Sequence, residues 1–166
     1  IVIPVDTDEP LREIDTAQPD AVARAVGGLM EAVDLYDLGV TVYVNESGLL
    51  QRLPFNSRAS FLWWYHAPRT RQRSMLVGDA VIVGLPDEDG ADTELPAAAR
   101  ALLRTEASYR VEGQLTGEDR WRQGLPIRLD YWEAIMWAML LLEQIPGAED
   151  SRVVPVEPHA GAAAVA

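Results

Sequence analysis

The chain has no cysteine and no lysine. Without cysteine it can form neither a disulfide nor a thiolate metal site. Its two histidines, His66 and His159, are too few to build a histidine-based metal centre, and no metal or cofactor is expected. No apolar run reaches the ~20 residues that a membrane-spanning helix needs. The longest, Ala134 to Leu142, is about half a span. No basic-then-apolar leader opens the sequence. The cytoplasm is therefore the expected compartment, and no membrane partner is expected. A phosphate-cradling glycine loop, a nucleophile elbow, a dinucleotide fingerprint and a Ser-His-Asp grouping are also missing. Gly27-Gly28 falls at the end of a helix rather than its start, where it is poorly placed to hold phosphate. These absences point away from an enzyme, and no reaction is indicated.

What is present is acid. The 166 residues carry 26 acidic residues against 14 arginines, a net charge of −12. Such an excess argues against general affinity for nucleic acid. The use of arginine alone as the base reads as GC-rich coding. The charge is unevenly spread. From Ser47 to Gly78 there is no acidic residue and there are five arginines, at 52, 58, 69, 71 and 73. A positive island sits inside a negative chain.

The sequence is organised around Val40 to Ala59. Val40, Val42 and Val44 alternate with Thr41 and Tyr43, the period of a half-buried strand. Asn45-Glu46-Ser47-Gly48 supplies turn chemistry, with Asn and Gly as the residues that tolerate a left-handed backbone. Pro54 biases Leu53 towards an extended shape. Asn56 or Ser57 can cap a helix beginning at Arg58 or Ala59. The pattern Tyr43-Val44-Asn45-Glu46-x-Gly48, followed by Leu53-Pro54-x-Asn56-x-x-Ala59, resembles the family known as domain of unknown function 3846. Gly27-Gly28 before Glu31-Ala32-Val33, and Gly78-Asp79 before Val81-Ile82-Val83, fit the same pattern. The likeness covers roughly residues 1–85. This chain departs from it at Gln51-Arg52, where the family usually has a small or basic pair, and at Phe55, where it often has Pro. The resemblance implies an origin in a phage, a plasmid or an actinobacterium. It carries no established activity, so it assigns no catalytic residue.

In chain order, Ile1–Val5 reads as a first strand and Leu11–Ile14 as a second. A short helix over Ala21–Val26 stops at Gly27-Gly28. Leu29–Leu35 pairs with Val40–Asn45 across the loop 36–39. Arg58–Tyr65 forms two helical turns, ended by Ala67-Pro68, and Arg69–Arg73 is a loop. Met75–Val83 is a buried strand with Gly78 at a bulge or turn. Residues 86–107 make an acidic connector and a short helix behind Pro96. A second unit, 108–156, reads as strand, strand (Trp121–Leu129), helix and a final edge strand Arg152–Val156, because Pro155 cannot donate to a central ladder. Its helix has the capping-box spacing of Asp130 and Glu133. Residues 157–166 read as a frayed tail. The fold class expected is α+β, a mostly antiparallel sheet with short helices on one face plus the smaller C-terminal unit. The helix at 131–143 is apolar nearly all round, so it should be covered on two sides. Its own sheet is one cover, and the second is either the first unit or another copy of the chain; the latter predicts a homodimer through this helix.

Three places could carry function. The first is the aromatic-basic island: Trp63, Trp64 and His66, with Arg69, Arg71 and Arg73. Aromatic faces stack bases, and arginine neutralises phosphate or forks onto carboxylates. Its bland reading is core aromatics beside a solvated loop. The second is the turn at Asn45 and Glu46 with Asn56 and Arg58, polar groups that could line a pocket. Its bland reading is turn and cap chemistry. A Glu46–His66 acid–base pair has no spacing rule behind it. The third is the acidic surface around Asp87–Glu94, which could imitate a phosphate backbone or be only a solvated connector. The expectation drawn is an accessory protein of a phage or mobile element that binds a host or defence protein through its acidic surface or its apolar helix. The alternative is a nucleotide or nucleic-acid binder using the Trp/Arg island, and a further one is an enzyme with an unrecognised site.

Overall fold

In the computed structural model, residues 1–124 and 128–156 are described. The chain divides into two units, Ile1–Arg104 and Thr105–Ala166.

Valine-rich segments build the first unit. Its elements are β1 (Val2–Ile3), α1 (Ala21–Val26), β2 (Met30–Leu35), β3 (Val40–Asn45), α2 (Ser57–His66), β4 (Ala80–Gly84) and α3 (Ala97–Leu103). The four strands form one antiparallel sheet in the order β1-β4-β3-β2. The hairpin β2–β3 pairs as expected, from Met30 opposite Asn45 to Leu35 opposite Val40. β3 is central and is more deeply buried than its alternation suggests. Even Thr41 and Asn45 are 1% and 4% exposed.

Side chains alternate across the sheet. Val2, Val81 and Val83 lie on one face and pack against Val22 and Val26 of α1. Val33 and Val44 belong to the other face, where they line a cleft with Trp63 of α2. The α+β class stands as expected, with the helices α1 and α2 serving different faces of the sheet rather than sharing one.

Three local expectations are corrected. Leu11–Ile14 is not a strand: only Arg12 bridges to Val2. In that register the next hydrogen-bonded pair would join Pro4 to Pro10, and neither has an N–H. The buried run ending at Val83 is interrupted at Gly78, whose φ is +72°, so β4 starts at Ala80 and Val77 makes only an isolated bridge to Phe55. The expected loop after Pro68 begins with a 3-10 turn, Pro68–Thr70.

The second unit contains β5 (Ser108–Leu115), β6 (Arg122–Gln123), α4 (Tyr131–Gln144) and β7 (Ala148–Val156), with strand order β6-β5-β7. This is the expected strand–strand–helix–strand plan, and β7 with Pro155 is an edge. The second strand is shorter than expected. Beyond Gln123 the Gly124 N–H donates to the Val111 carbonyl of β5 and Leu129 bridges Tyr109, and residues 125–127 lie outside the described residues. So does the expected tail at 157–166. The capping box of α4 is present: the Glu133 N–H donates to Asp130, and the Asp130 N–H donates to Glu133. α4 packs on β5 and β7, and its Tyr131, Ala134, Ile135, Ala138 and Met139 are buried. Trp137 remains 42% exposed. No helix among the described residues is long and apolar enough to cross a membrane.

Candidate functional site

The cleft of the first unit is built where β2, the end of β3, the following turn, α2 and the segment 73–77 converge. Its volume is about 270 Å³. Val33, Val44, Leu49 and Met75 provide apolar wall, and Trp63 presents its indole. Three charged side chains also line it: Glu31, Glu46 and Arg73. Among the described residues none of these three has an ion-pair partner. Leu49 and Met75 are 65% and 49% exposed, and neighbouring Leu50 is 86% exposed. Large apolar side chains at the rim of a cleft mark a place where something else can bind.

Local chemistry holds the walls in place. Asn45 closes β3, and its amide donates to the carbonyls of Val26 and Gly27 while its oxygen accepts the Ser47 N–H. One buried side chain thus ties the end of α1 to the turn that carries Glu46. The turn does not use the left-handed geometry expected at Asn45 or Gly48. That conformation falls on Arg52, at φ 58°. Gly48 is needed for space instead: a Cβ there would lie 2.8 Å from Val77 Cγ2 and 3.0 Å from the Asn45 carbonyl oxygen. Segment 73–77 is pinned to α2, because the Asn56 N–H donates to the Leu76 carbonyl and the Leu76 N–H donates to Ser60 Oγ.

The structure brings Asn45, Glu46, Trp63 and Arg73 to this one cleft. It places the other candidates elsewhere. Trp64 packs with Phe55 and Phe61, at ring distances of 6.0 and 5.6 Å, and its indole N–H donates to the Ser74 carbonyl. His66 meets the Asp37 carboxylate through Nδ1, and so is not paired with Glu46. Arg69 is exposed on the 3-10 turn, and Arg71 is half-buried after it.

Asn56 and Arg58 are structural clips. Asn56 caps α2 by accepting the Ala59 N–H, and its amide donates to the Ile3 and Gly78 carbonyls. Arg58 donates to the backbone carbonyls of Pro4, Asp6 and Glu9. Burial pulls its guanidinium pKa down, against the pull of Asp6 and Asp79.

Glu31, Leu49 and Met75 were missed as site residues. Glu31 had a signal. In the legible hairpin it sits opposite Val44, a charge on the valine-lined face.

The cleft offers apolar contact, an aromatic face and two carboxylates against one guanidinium. It lacks a paired nucleophile and base, and no group of residues that could hold a metal occurs among the described residues. Searches of curated proteins and of solved structures found no significant match. The family model described as domain of unknown function (DUF3846) matches residues 1–107, a span that takes in the whole first unit and the cleft. The chain belongs to that family.

Proposed function

We propose that this chain is an accessory protein of a phage or other mobile element, that it works in the cytoplasm by binding a host or defence protein, and that the cleft of the first unit is where it binds. One observation carries the reading: Trp63, Glu46, Arg73 and Glu31 share a cleft rimmed by exposed Leu49 and Met75. Such a mixture of apolar anchors and unpaired charges suits a protein surface. The reading is supported by how the remaining polar candidates are used. Asn56, Arg58 and His66 spend hydrogen-bonding capacity on the protein itself, which leaves little for turnover.

The test is a tagged pull-down from an actinobacterial lysate, with and without nuclease, run beside the double variant Leu49→Glu/Met75→Glu. Both side chains are exposed, so the fold should tolerate the change. The expected result is a protein that stays bound after nuclease and is lost with the double variant. Material that vanishes with nuclease, or that both proteins capture equally, contradicts the reading.

Nucleotide or nucleic-acid binding is favoured by one feature, the shared placement of Trp63 and Arg73. Glu31 and Glu46 oppose it by facing any phosphate in the same space. It predicts binding that is abolished when Arg69, Arg71 and Arg73 are all replaced by Glu. We also propose a homodimer through 131–143, supported by exposed Trp137 and Ile145 beside an apolar pocket of about 260 Å³. A purely monomeric mass at high concentration would contradict it.

A further inference from the structure

β2 is an outer strand of its sheet and pairs with β3 alone. The Glu46 N–H donates to the Leu29 carbonyl, just beyond the β2–β3 register that ends with Met30 opposite Asn45. Hydrogen-bonded pairs alternate along an antiparallel ladder. Glu31, Val33 and Leu35 therefore bond to β3. Met30, Ala32 and Asp34 turn their N–H and C=O groups away from it. Among the described residues these outward groups have no backbone partner, and all three residues are exposed. The sheet thus ends in half an unused ladder, which an extended peptide can complete.

The side chains beside that ladder define the peptide. Glu31 and Val33 face the cleft. A strand laid along β2 would set its own residues opposite them at non-hydrogen-bonded positions, where side chains approach most closely. The cleft behind holds Glu31 and Glu46 against a single Arg73, and Trp63 offers a ring face to a cation. Glu31 by itself could simply guard the edge against chance pairing. A second carboxylate and an indole in the adjoining cleft give an incoming basic side chain somewhere to go. A second copy of this chain is a poorer occupant. Pairing β2 with itself would gather Glu31 and Asp34 of both copies into one ribbon with no added cation.

We propose that β2 accepts an extended basic segment of a partner protein as an additional strand. A Lys or Arg lies opposite Glu31, and an apolar residue two positions away lies opposite Val33. This rests on the reading of the cleft as a protein-binding site and names its mode of recognition.

The probe is a library of short random peptides displayed on phage and selected on the whole protein. Enriched peptides are expected to carry a basic and an apolar residue two positions apart. Their affinity should fall at least about tenfold with Ala32→Pro, and likewise with Glu31→Lys. Ala32→Pro removes only an outward N–H, a position where an edge strand tolerates proline. The fold is checked by amide exchange at Val33, whose N–H faces β3. Binding should also slow exchange at the Met30, Ala32 and Asp34 amides. If Ala32→Pro unfolds, Glu31→Lys and these three amides decide the question.

No enrichment, enrichment of acidic peptides, or binding that ignores both substitutions would overturn strand addition. If the Leu49→Glu/Met75→Glu variant still abolishes partner capture in that case, the cleft survives as the binding site and only its mode of recognition is wrong.

Discussion

Asn56 is 1% exposed, and its amide hydrogens and carbonyl oxygen all have partners in Ile3, Gly78 and Ala59. Asn56→Ala removes a helix cap and strands two buried carbonyls. It should cost roughly 3 kcal/mol in urea unfolding; a loss within experimental error would show that these bonds do not matter. In the second unit, hydrogen bonding from Arg152 holds the Glu112 carboxyl below its usual value of 4.5. Burial opposes this, and a bond from Arg110 assists it. A depressed carboxylate pKa stabilises the fold above the unfolded value, and that contribution is lost as pH falls through the folded one. Glu112→Gln should therefore flatten the decline in stability below about pH 4.5, as read by unfolding at stepped pH. The cap at Asn56 and the turn at Asn45 were legible because their chemistry is local. The carbonyls they also clasp, at Ile3, Gly78 and Val26, were not, since they come from distant parts of the chain.

The hairpin β2–β3 and the capped helix α4 were readable for the same reason: alternation and cap spacing act over a few residues. The segment at Leu11–Ile14 was misread because a strand needs a partner with donors, and prolines sit at the two positions that would extend its bridge to β1. The turn after β3 was right in place and wrong in geometry. There Arg52, at φ 58°, occupies a backbone region that glycine adopts without strain. Arg52→Gly should raise stability by about 0.5–1 kcal/mol, and a destabilised variant would show that the Arg52 side chain has a role of its own. Gly48→Ala should do the reverse and lower the melting temperature, because the new methyl meets Val77 and the Asn45 carbonyl. The cleft itself was half visible. Trp63, Arg73, Asn45 and Glu46 could be named from composition and turn chemistry. Their meeting with Glu31 and Met75 depends on how the strands are ordered, which local patterns do not carry.

Across the whole molecule, the first unit ends at Arg104 and the family match ends at residue 107. Two independent boundaries nearly coincide, and the segment they enclose has its own buried core. A fragment of residues 1–107 should unfold cooperatively and keep the cleft; a non-cooperative fragment would mean that the second unit is required for the first to fold. The measurement that tests the central claim most directly is an amide-exchange footprint of the full chain with its captured partner. Binding at the cleft and along β2 should slow exchange in β2, at residues 46–49 and at residues 73–77, with the second unit unchanged. Protection confined to the second unit, or to the acidic stretch 85–94, would contradict it.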